Sequence, residues 1–224
     1  MKRFRSGAAG AVAVMVWLFA ASALHAETVV TYLEGSLDVE RAGAVTEGEI
    51  GMALAEGDRL RTGPDSLAVV DLEDGGTLKL REETVLVIGG LDDSLSVTLA
   101  SGGLFSRVRR LAGRSYEVRT PNVVAGVRGT EFFVAYGRAV EDVPDVWLCV
   151  NEGRVAVALE DTGESVLVNE GEGINILSGS RITEPKFYPW TQDLNWNVDP
   201  SAGSVRDETD LSGAYADLRD FDYD

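Results

Sequence analysis

Short runs in which apolar and polar residues alternate, broken by turn residues at intervals of about ten positions, leave this chain few folds to choose from. Leu95, Val97 and Leu99 alternate with Ser94, Ser96 and Thr98. The same pattern holds for Val155, Val157 and Leu159 against Arg154, Ala156 and Glu160, and for Leu37 and Val39 against Ser36, Asp38 and Glu40. A period of two puts the apolar side chains of each run on one face of a half-buried strand. Between the runs lie Gly63-Pro64-Asp65, Glu73-Asp74-Gly75-Gly76, Gly89-Gly90, Leu91-Asp92-Asp93-Ser94, Asp161-Thr162-Gly163 and Glu170-Gly171-Glu172-Gly173, all suited to tight turns. No segment before residue 185 sustains a helical period. The pattern predicts an all-β domain over residues 28–184, with many short strands in a β-helix-like or sandwich-like arrangement. Glu34–Val39 is echoed at Glu152–Val157 and more loosely at Gly103-Leu104, but at unequal spacing, so no fixed-period array is implied.

The two ends of the chain differ from this middle. Residues 1–26 carry Lys2, Arg3 and Arg5, then an apolar run from Ala8 to Leu24, then small residues up to Ala26 before Glu27. This is the layout of a secretory signal peptide cut after Ala26, with an uncleaved inner-membrane anchor as the alternative. Residues 185–224 read as an irregular acidic tail: from residue 190 onward there are nine acidic groups against Arg206 and Arg219. Phe187, Tyr188, Trp190 and Trp196 lead that tail and are placed to dock back on the β domain.

Charge and residue usage narrow the chemistry. The formal charge is -17, and removal of the leader leaves 17 basic against 37 acidic residues, a field that repels nucleic-acid phosphates and anionic lipid. The only histidine, His25, leaves with the leader, and with it His-based nucleophilic catalysis and His-ligated zinc. Cys149 sits in the apolar run Val146–Val150 and reads as a buried small hydrophobe. No phosphate-cradling or calcium-loop motif is present, so no metal or cofactor is expected. A carboxylate-pair carbohydrate-active enzyme is the catalytic alternative, although no pair stands out among the 37 acids. Against the acidic background, Arg107, Arg109, Arg110, Arg114, Arg119 and Arg128 crowd into 22 positions. Arg107, Arg109, Arg110, Arg114 and Arg119 are the expected contact stripe for an acidic envelope protein or an anionic envelope polymer; pairing with the chain's own carboxylates is the structural alternative.

Gly57-Asp58-Arg59-Leu60-Arg61-Thr62-Gly63, Ser66 to Leu72, Asp74-Gly75-Gly76-Thr77-Leu78, Gly103-Leu104, Val118-Arg119-Thr120-Pro121, Val127-Arg128-Gly129-Thr130-Glu131-Phe132, Val150-Asn151-Glu152-Gly153-Arg154-Val155 and Glu170-Gly171-Glu172 follow one another in this order, spread over residues 30–178. The order of these short motifs resembles a FecR domain. The resemblance implies an extracytoplasmic all-β module that acts by protein contact. Well-known members receive a signal from an outer-membrane iron-siderophore transporter and relay it to a cytoplasmic sigma factor. Only about seven residues precede the apolar run here, so the expectation is a stand-alone exported module. Arg128, Gly129 and Thr130 are expected to be structural: Gly126 and Gly129 bracket a sharp turn, and Arg128 is held by a carboxylate such as Glu131 or Asp58.

Overall fold

A computed structural model describes residues 27–209, apart from 74–75, 92–93, 110–114, 128 and 140–143. The alternating runs form strands, sixteen among the described residues, and there is no α-helix among them. In chain order they are β1 (Val29–Glu34), β2 (Leu37–Arg41), β3 (Ala44–Glu47), β4 (Arg59–Thr62), β5 (Leu67–Asp71), β6 (Thr77–Leu80), β7 (Val85–Ile88), β8 (Ser94–Val108), β9 (Ser115–Arg119), β10 (Val123–Val127), β11 (Thr130–Ala139), β12 (Pro144–Glu152), β13 (Arg154–Leu159), β14 (Ser165–Asn169), β15 (Gly173–Leu177) and β16 (Arg181–Ile182).

All sixteen belong to one hydrogen-bonded network that folds over on itself. A front sheet runs β1-β5-β6-β8-β11-β12-β15-β16. A back sheet runs β3-β2-β4-β7-β8-β9-β10-β13-β14. The 15-residue strand β8 belongs to both: it pairs β7 up to Ser101 and β11 from Gly102. Glycine is required at that crossing. Gly102 has φ +95°, and a Cβ there would lie 2.4 Å from Thr84 Oγ1 and 2.5 Å from Thr84 Cα. Thr84 Oγ1 in turn receives the Gly103 N–H at 3.0 Å.

Of the two arrangements the sequence left open, the parallel rungs of a β-helix do not form among the described strands. β8 and β9 are the only parallel neighbours among the described strands, whereas stacked β-helix rungs would be parallel throughout. Both sheets turn their apolar faces onto one core, with Leu60, Leu86, Leu95, Val97 and Val157 from the back and Val70, Leu78, Leu104, Phe132 and Leu148 from the front. Full burial of each such side chain favours folding by about 1.5–3 kcal/mol.

The front sheet is also buried on its other side. β5 (LAVVD) and β12 (PDVWLCVNE) are buried at almost every position, with no alternation. The cover is the segment 186–209, which has a single 3-10 turn at Pro189–Gln192 and otherwise no regular structure. Leu194 and Val198 pack with Phe105, Phe133, Ala135, Trp147 and Cys149 on the sheet's outer face. Val205 packs on Leu67 and Val69. This part of the acidic tail is irregular yet packed; residues 210–224 lie outside the described residues.

Candidate functional site

Strand register places the polar groups of the strapped face. Across β5, β6, β8, β11 and β12, Val69, Lys79, Phe105, Phe133 and Cys149 stand side by side in one row, and the neighbouring row carries Asp71, Thr77, Arg107 and Glu131. Lys79 is fully buried. Its ammonium lies 3.9 Å from the centre of the Phe105 ring and donates to the carbonyls of Asn195 and Asn197, the latter at 2.9 Å. Burial pulls the Lys79 pKa down to about 8, with Asp207 opposing that shift and Arg81 adding to it.

Two arginines complete the clamp. Arg107 donates to Glu131 Oε1 from Nε at 2.8 Å and from Nη2 at 2.6 Å, and its Nη2 also reaches the Trp196 carbonyl at 3.3 Å. Asn151 Nδ2 donates to the other Glu131 oxygen at 2.7 Å. Arg81 lies 3.3 Å from Asp207 Oδ2 and donates to the Thr209 carbonyl at 3.1 Å. Asp207 Oδ1 meanwhile accepts from the Asn195 N–H and the Thr209 hydroxyl, which fixes the strap's own loop. At the far side, Arg206 of the strap donates to Glu34 and to the Asp65 carbonyl. Lys79, Arg81 and Arg107 of the sheet thus each reach at least one backbone carbonyl of the strap.

Arg107 and Arg119, two of the predicted arginines, stand in different sheets. Arg107 faces the strap from the front sheet, whereas Arg119 ends β9 in the back sheet and pairs with Glu117 at 2.6 Å and Glu160 at 2.9 Å. Arg109 is exposed just beyond β8. Arg110, Arg114 and Arg128 lie outside the described residues. The carboxylates expected to hold Arg128 have other partners: Glu131 is bound by Arg107 and Asn151, and Asp58 by Arg41 and the Ala55 N–H. Gly126 is in mid-strand opposite Ala156, and the turn is made at Gly129, φ +69°. Thr130 Oγ1 donates to the Arg154 carbonyl at 3.0 Å, and a Cβ on Gly153 would lie 2.8 Å from the Gly129 carbonyl oxygen, so two turns pack directly together there.

Cys149 is buried as expected, and burial raises its thiol pKa far above the ordinary value, which opposes thiolate formation. Sequence reasoning missed Lys79 and Arg81 as clamp residues. The available signal was a lone lysine in a buried strand, beside apolar runs too continuous for a sheet wetted on one side.

Residues 58–156 match the family model described as FecR protein. That stretch is similar to a FecR domain. No curated protein matches the chain in sequence. Two solved structures of a proposed anti-sigma factor from Parabacteroides distasonis ATCC 8503, at 1.65 and 2.50 Å resolution, are similar in fold. The first is 20% identical with TM-score 0.53, covering 72% of this chain and 73% of its own. The second is 20% identical with TM-score 0.52 and covers 72% of each chain. The FecR match spans β4 to β13 and so contains Lys79, Arg81, Arg107 and Glu131, while the strap that they hold lies beyond it.

Proposed function

We propose that the chain is a non-catalytic, extracytoplasmic FecR-domain module that acts by protein contact in envelope signalling linked to sigma-factor regulation. The FecR match over residues 58–156 carries this reading, and the likeness in fold to a proposed anti-sigma factor is consistent with it. The leader-like residues 1–26 support export. Of the arginines first assigned to partner contact, Arg107 is engaged with Glu131 and the strap, so the contact role passes to exposed Arg109 and its neighbours Arg110 and Arg114. The partner is an envelope protein with an acidic face.

The test uses the source cells. A photo-crosslinking residue at position 109 should trap one envelope protein, deletion of the gene should alter sigma-factor-dependent transcription, and the mature chain should begin near Glu27. Unchanged transcription on deletion together with no crosslinked species refutes the module. Turnover of peptidoglycan or another glycan by the purified chain refutes the non-catalytic part.

A further inference from the structure

The two sheets treat their edges differently. In the front sheet, the outer side of β1 is paired by residues 51–54: Val30 N–H to Met52 at 3.0 Å, Gly51 N–H to Val30 at 2.8 Å and Leu54 N–H to Thr28 at 2.8 Å. β15 is flanked by β16 and by a Gly173–Lys186 bridge. Among the described residues the back sheet ends on β3 at one side and β14 at the other, and neither pairs a further strand there.

The edge at β14 is the one built to continue. Leu159 N–H bonds the Glu164 carbonyl at 2.9 Å, so antiparallel alternation turns the backbone groups of Val166 and Val168 toward β13 and those of Ser165 and Leu167 outward. Among the described residues nothing pairs with these outward groups. Asn169 is closed off by Glu172, whose Oε2 accepts its N–H at 2.9 Å and whose own N–H bonds its carbonyl at 3.0 Å. Val168 is buried and Val166 packs against the main core, so an added strand would extend a supported face. Leu167, 45% exposed, lies on the outer face. No charge, proline or bulge protects Ser165–Asn169, the devices by which sheets normally discourage such pairing. β3, in contrast, is exposed at all four residues and carries Glu47, so an added strand there would have nothing to pack on.

Charge selects the occupant. Asp161 and Glu164 stand at one end of β14 and Glu170 and Glu172 at the other; Glu160 is already paired with Arg119, and Arg154, opposite Asn169, is the one basic residue of β13 and β14. A second copy, paired antiparallel about Leu167, would set Glu164 against Glu170 twice. The chain's own residues 210–224 carry Asp210, Asp217, Asp220, Asp222 and Asp224 against a single Arg219 and are repelled too.

We propose that β14 is a docking edge that accepts, as an added strand, an extended partner segment with alternating apolar side chains and lysine or arginine at its ends. This rests on the reading of the chain as a contact module. The edge can nevertheless be tested apart from it, because a synthetic peptide reports on β14 without reference to transcription or crosslinking in cells.

The probe is the peptide Lys-Arg-Thr-Val-Thr-Val-Lys-Arg, added to the full exported chain, with amide exchange followed residue by residue. It should slow exchange at Ser165 and Leu167 and leave Val45 and Glu47 unchanged. A counterpart with Glu at both ends should lose that protection, and high salt should narrow the difference. Leu167→Pro removes only an outward donor and should abolish binding; Leu167→Lys, a substitution ordinary edges tolerate, should weaken it while keeping the melting temperature. Binding by Leu167→Pro as tight as by the unaltered chain, protection elsewhere, or Ser165 and Leu167 already protected in the free chain through dimers or its own terminal residues would overturn the proposal.

Discussion

Asp58 illustrates how a buried carboxylate stays charged. Its side chain is fully buried, and burial alone would raise its pKa. The bidentate Arg41 guanidinium, at 2.7 and 2.6 Å, and the Ala55 N–H at 2.8 Å outweigh that penalty and hold it below its ordinary value of 3.8. Its contribution is therefore complete above the ordinary value and is lost as pH falls through the depressed one. Asp58→Asn should cost about 2–3 kcal/mol, read as a lower urea midpoint, and should flatten the acid limb of stability. At alkaline pH three buried groups compete. Lys79 loses its proton near pH 8 when folded and near 10.5 when unfolded, so stability rises with pH across that interval by at most about 1.4 kcal/mol per unit. Cys149 and Tyr116 are shifted upward by burial, so stability falls once their unfolded forms ionise, above 9.0 and 10.0. Urea midpoints should rise from pH 8 to 9, level off to pH 10 and then fall. Cys149→Ala should extend the rise to pH 10, and Lys79→Met should abolish it.

At the scale of elements, the β8 crossing and the two-sided front sheet set the architecture. Gly102→Ala adds a Cβ against Thr84 at a backbone angle that side chains rarely adopt. It should destabilise by more than about 3 kcal/mol in chemical denaturation, whereas Gly43→Ala, with open space around it, should cost far less. Strands with one wet face were legible from sequence because alternation records which side is buried: Leu95, Val97 and Leu99 of β8 and Val155, Val157 and Leu159 of β13 all turn inward as their spacing requires. The crossing at Gly102 was not legible, since Leu95–Leu99 and Leu104–Val108 read as separate strands and nothing local says that one strand spans both sheets. Nor was the role of Arg107: its sequence neighbours suggest a basic stripe, while its actual partners, Glu131 and the Trp196 carbonyl, are 24 and 89 residues away.

Across the whole molecule, the strap decides whether the aromatic wall of Phe105, Phe133 and Trp147 is dry. A chain ending at residue 185 should keep its strand content by far-ultraviolet circular dichroism, yet bind a hydrophobic dye strongly and melt at lower temperature than the full chain. Unchanged dye binding would show that the strap is dispensable. The strap was hard to foresee because it forms no ladder and has no apolar period; its hold comes from Leu194, Val198 and Val205 at irregular spacing and from cations gripping its carbonyls. The strap follows every strand in the chain, so the sheet reaches the compartment where it folds before its cover does. Until residues 186–209 arrive, the folding chain holds a finished interior and a naked greasy flank, and holdase chaperones of that compartment should engage it at this late stage.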